Sequence, residues 1–101
     1  MSNSLTPTEG ARFLLVLEQE AGASARYRAA IYTPDATYEG HAQLHDEGTA
    51  TVDVAGAPDE LLATLQMLAK LTARSAPKKR EDGLPPWPAR VLRWRGPGRG
   101  Q

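Results

Sequence analysis

The sequence predicts an α+β fold: a four-stranded antiparallel meander with one amphipathic helix packed on one face, and a short fifth strand from the C-terminal tail. Three observations predict it. Residues 25–54 alternate apolar and polar side chains in runs broken by turn-forming residues. Residues 58–75 switch to helical spacing, and apolar and aromatic residues return after the prolines at 85–88. Alternation with period 2 reads as half-buried strands, and a 3.6-residue period as a helix lying on them.

The first strand is Phe13-Leu14-Leu15-Val16-Leu17. An unbroken apolar run fits a strand covered on both faces or nearly so. A helix over residues 7–20 is its alternative, because Thr6-Pro7-Thr8-Glu9 matches a capping box with proline in the first turn and Gly22 would stop it. From Ala25 to Thr33, Tyr27, Ala29 and Ile31 share one face and Arg26, Arg28 and Ala30 the other. Pro34-Asp35-Ala36 is a turn, since proline fixes φ and aspartate bonds its own backbone. From Thr37 to His45, Gly40, Ala42 and Leu44 face inward, opposite Glu39, His41, Gln43 and His45. After the turn Asp46-Glu47-Gly48, Thr49 to Val54 sets Ala50, Val52 and Val54 inward. The small inward residues are expected to let the helix approach closely.

Gly56-Ala57-Pro58-Asp59-Glu60 opens the helix, with proline suited to the first turn and the acids to the positive end of its dipole. Leu61, Leu62, Leu65, Leu68, Ala69 and Thr72 form one stripe, expected to bury Leu65 and Leu68 against the meander. Pro77 is expected to end the helix by about Ser75, which gives a domain over residues 10–75 and a basic, Pro/Trp/Arg-rich tail over residues 76–101. Pro77 to Glu81 reads as a charged linker and Leu84 to Pro88 as polyproline II. Both tryptophans, Trp87 and Trp94, lie in this tail. Burying each contributes about 4–6 kcal/mol at most, close to the entropy of fixing the intervening backbone. Docking of Pro88 to Trp94 as an added edge strand is expected, with Trp94 at least half buried.

Composition excludes several functions. Hydrophobic residues are 41% and charged residues 24%, as in an ordinary globular domain. There is no cysteine, hence no disulfide, thiolate metal site or thiol nucleophile. The apolar runs are too short to span a bilayer and the start lacks a signal core, so a cytoplasmic protein with no membrane association is expected. The abundance of alanine, glycine and arginine fits a GC-rich bacterial genome. The net charge of zero hides an asymmetry: five basic and ten acidic residues up to Ser75, then seven basic and two acidic. The basic tail can lie on its own acidic body or on nucleic acid.

Chemistry-bearing constellations are sparse. His41 and His45 on a strand stand about 13 Å apart at ~3.3 Å per residue, too far to share an ion. Arg28, Glu39 and His41 can meet on the open sheet face, where cross-strand charge pairing accounts for them. No serine has a nucleophile's context, and Gly96-Pro97-Gly98-Arg99-Gly100 lacks the strand and helix of a phosphate loop. Neither catalysis nor a metal or cofactor is expected. The expected function is a small interaction module acting through its open sheet face, on another protein or as a homodimer. The alternative is a nucleic-acid-binding accessory protein using the tail, where Lys78-Lys79-Arg80 and Arg90, Arg93 and Arg95 accompany aromatic residues. The candidate partner-binding residues are Leu14, Val16, Arg28, Tyr32, His41, Trp87, Arg93 and Trp94.

Overall fold

The computed structural model describes residues 9–95. The capping-box residues Thr6-Pro7-Thr8 and the glycine-rich stretch from Gly96 lie outside the described residues. The chain forms β1 (Ala11–Ala21), β2 (Ser24–Tyr32), β3 (Thr37–His45), β4 (Thr49–Val54), α1 (Asp59–Glu81) and β5 (Arg90–Arg95). All strands join one antiparallel sheet in the order β4-β3-β2-β1-β5, with α1 packed against it.

The first strand is decided by its neighbours. β1 lies between β2 and β5, so its backbone is paired on both edges. Phe13 and Leu15 are fully covered on the helix side, and Leu14 is 8% exposed on the other. A helix would have left part of this run in water; an interior strand covers both faces. Leu17 pairs with Tyr27 and Gln19 with Arg26, leaving Glu18 as an extra residue that bends the strand.

The core lies between the sheet and α1. It is built from Phe13, Leu15, Tyr27, Ile31, Leu44 and Leu65, with Ala69, Ala73 and Ala76 bringing the helix backbone close. Leu68 is only partly buried, because the stripe that meets the sheet follows Leu65, Ala69, Thr72, Ala73 and Ala76. Gly40 serves a different purpose from the one its composition implied. A Cβ there would strike the Asp53 carbonyl and lie 2.8 Å from Val54 Cα, so it is the β4 backbone that requires glycine.

The helix does not stop at Ser75. It runs to Glu81 with Pro77 inside, and the expected linker is its last turns. Proline costs a helix interior about 3 kcal/mol through a lost hydrogen bond and a steric clash. Three features offset this here. Ala76 is fully buried, Arg80 donates to Asp46 Oδ2 and to the Gly22 carbonyl at 3.0 Å each, and Asp82, Gly83 and Leu84 amides cap the final carbonyls. Local propensity is overridden by contacts that reach up to 58 residues away in sequence.

The tail folds back as β5, beside β1. The tryptophan that anchors it is Trp87, which is 2% exposed and donates from Nε1 to the Gly22 carbonyl at 3.1 Å. Tyr27 donates its hydroxyl to the Pro88 carbonyl at 2.7 Å, and Leu17 N–H to the Ala89 carbonyl at 2.9 Å. Trp94 is 52% exposed, contrary to the expectation of half burial, because it points away from the helix side of the sheet. No helix among the described residues is long and apolar enough to cross a membrane.

Candidate functional site

Among the described residues, no strand or helix covers the sheet face opposite α1; at its edge the Trp94 indole N–H donates to the Glu9 carbonyl at 3.1 Å. Strand register arranges the side chains of this face in rows across the sheet. Trp94, Arg12, Tyr32 and Thr37 stand side by side on β5, β1, β2 and β3. The next row is Leu92, Leu14, Ala30 and Glu39. The third is Arg90, Val16, Arg28 and His41, continued by Asp53 on β4. Alternation along each strand puts these residues on one face, and pairing brings β5, β1 and β2 together at about 4.8 Å spacing. Partly exposed Leu92, Val16 and Tyr32 and exposed Trp94 surround Leu14 and Ala30, which are themselves only 8% and 3% exposed, with arginines on one side and the polar residues of β3 and β4 on the other. Leu14, Val16, Arg28, Ala30 and Tyr32 line a shallow cavity of about 170 Å³ on this face.

Charges on this face are partly matched. Arg28 lies 3.6 Å from Glu39, Arg26 3.7 Å from Glu18, and His41 Nε2 3.5 Å from the same Glu18 carboxylate. All are well exposed, so each contributes at most about 1 kcal/mol. Alternation from Leu14 and Val16 puts Glu18 on this face, and the register shift around it sets Gln19 opposite Arg26 as well, which the sequence does not signal. Among the described residues, no carboxylate lies within 4.0 Å of Arg12, Arg90, Arg93 or Arg95. Of the basic tail, Arg80 meets the body through Asp46, while Arg90, Arg93 and Arg95 are exposed.

The candidate residues separate into three places. Leu14, Val16, Arg28, Tyr32, His41 and Trp94 meet on the open face. Arg93 has the opposite orientation and lines a groove of about 250 Å³ between β5 and α1, with Leu68, Leu71, Lys79 and Val91. Trp87 belongs to the core, its indole facing the β1–β2 turn, so it serves the fold rather than a partner surface. Sequence reasoning missed Arg12, Arg90 and Leu92 as members of the face. Their alternation was visible, but their neighbours depend on where β5 docks.

The described residues contain no cluster of three or more histidine or carboxylate side chains with metal-binding proximity. Among the described residues, the strongly perturbed group is the Tyr27 hydroxyl, whose pKa is pushed far up by burial, with the Glu20 charge adding to it. It is held as a donor to Pro88 and faces the core. No protein-family model, curated protein or solved structure matches the chain.

Proposed function

We propose that this protein is a non-enzymatic interaction module that binds another polypeptide surface through its open sheet face. The observation that carries the reading is the row arrangement around Leu14. Leu92, Val16, Tyr32 and Trp94 gather around the buried Leu14 and keep part of their own surface in solvent, with no described strand or helix laid over them. A contiguous apolar area rimmed by charge on a small domain marks an interaction surface. Aromatic residues and arginine are also the side chains that dominate such interfaces.

Photo-crosslinking in cells tests this. A photoreactive amino acid at position 94 is expected to capture a defined polypeptide, whereas one at position 70, on the exposed side of α1, is not. Equal capture from both positions, or none from position 94, would remove the reading.

A second reading is supported by the β5 arginines without carboxylate neighbours. Arg90, Arg93 and Arg95 beside Trp94 offer cations and a stacking face to a single-stranded nucleic acid. Binding of that kind weakens steeply as salt rises, while an apolar protein interface does not.

A further inference from the structure

The open face has an internal symmetry that points to its occupant. On β5, Trp94 and Arg90 stand four residues apart on the same face; on β2, Tyr32 and Arg28 do the same. Between these strands, β1 carries Arg12, Leu14 and Val16. The aromatic row and the arginine row therefore flank the leucine–alanine row at equal distances, about 6–7 Å along the strands. A two-fold axis in the interface plane, running along the middle row, exchanges the two outer rows. Trp94 then faces Arg90 of the second copy, and Tyr32 faces Arg28 of the second copy. Along the axis Leu92 meets Leu92, while Leu14 and Ala30, 8% and 3% exposed, form the floor beneath the outer pairs.

We infer that the occupant of this face is a second copy of the chain, packed sheet on sheet about that axis. The inference rests on the open face being an interaction surface, and it adds the partner and its orientation. The symmetry supplies an arginine over an aromatic face at each of the four outer positions, an attractive arrangement once water is excluded. The other in-plane two-fold, parallel to the strands and centred on β1, would set Arg12 on Arg12 and Arg28 on Arg90. Like charges meeting in a desolvated interface disfavour it. Glu39 ends the middle row and meets its own copy, but its carboxylate is already within 3.6 Å of the Arg28 guanidinium.

The four strands β5, β1, β2 and β3 span about 19 Å and the three rows cover about 20 Å along them. That is roughly 400 Å² per copy and roughly 800 Å² in total, the size of a weak, transient interface. Packed sheets cross at about 30°. For residues 6–7 Å from the axis this displaces the outer pairs by only about 3 Å, within the reach of an arginine side chain.

Sedimentation equilibrium of the full chain over a concentration series tests the inference. The expected result is a dimer. Trp94→Arg places a cation opposite Arg90 and is expected to raise the dissociation constant at least about tenfold. The double exchange Arg90→Trp/Trp94→Arg restores the pairs in reversed order and is expected to bring the constant back to within about threefold of the starting protein. Both positions are exposed, and an unchanged circular dichroism spectrum verifies that the variants fold. A chain monomeric up to about 1 mM overturns the inference, while capture of a different polypeptide at position 94 would leave the open-face reading standing. A dimer indifferent to Trp94→Arg places the interface elsewhere and overturns it too. Loss in the single variant without recovery in the double exchange overturns the proposed axis. Salt-sensitive binding of a mixed-sequence single-stranded oligonucleotide by a monomeric chain would assign the face to nucleic acid instead.

Discussion

Gly40 and Tyr27 show how individual side chains decide this fold. Gly40 lies where β3 and β4 approach so closely that the Asp53 carbonyl occupies the space of a Cβ. Gly40→Ala forces backbone to move rather than a flexible side chain, and is expected to destabilise the protein by about 1–3 kcal/mol in a urea titration. Tyr27 is fully buried, with its hydroxyl on the Pro88 carbonyl at 2.7 Å. Tyr27→Phe removes the donor and leaves that carbonyl without it, an expected loss of about 1–2 kcal/mol. Burial raises the folded-state pKa above the ordinary value of 10.0. The unfolded chain therefore releases this proton first, and the stabilisation is complete below about pH 10 and erodes as pH rises further. Alkaline unfolding followed by circular dichroism should show this erosion in the parent chain, and Tyr27→Phe should lose that part of the pH dependence.

The elements were legible in the sequence wherever their own residues decide them. Tyr27, Ala29 and Ile31 against Arg26 and Arg28, and Ala50, Val52 and Val54 against Thr49, Thr51 and Asp53, carry their face assignment in simple alternation, and the structure has the same faces. The end of α1 was not legible, because Pro77 acts locally whereas Arg80, Asp46 and Gly22 act across the fold. The same limit hid the composition of the open face, since Arg90 and Leu92 gain neighbours only when β5 pairs with β1. It also hid which tryptophan is buried, because the acceptor for Trp87 is a turn carbonyl 65 residues away. If α1 tolerates Pro77 through these contacts, removing the proline should release its cost. Pro77→Ala at this exposed position restores a donor to the helix, and an increase of about 1–3 kcal/mol in unfolding free energy is expected. An unchanged or lowered stability would mean that the proline is fully accommodated.

At the scale of the whole molecule, the described part of the basic tail is divided between the last turns of α1 and the edge strand β5. Its two indoles have different surroundings, one in the core and one on the open face. Fluorescence of the variants Trp94→Phe and Trp87→Phe separates them. The signal from Trp87 should be blue-shifted and protected from an added quencher, and that from Trp94 red-shifted and accessible. At concentrations where the inferred dimer forms, Trp94 should become protected as well. Two equally quenched tryptophans at low concentration would contradict the docking of β5.

The pairing of β5 with β1 also sets an order in time. At about 5–20 residues per second of synthesis, Arg95 follows Ala11 by about 4–17 s. During that interval Phe13 to Leu17 has β2 on one side and no strand on the other, so the most apolar segment of the chain is an open edge. Unpaired apolar edges are where nascent chains stick to one another. Synthesis speed through the segment between α1 and β5 therefore bears on yield. Slow translation across Pro85, Pro86 and Pro88 prolongs the exposure, and a chain interrupted after Gly83 is expected to be recovered in aggregates.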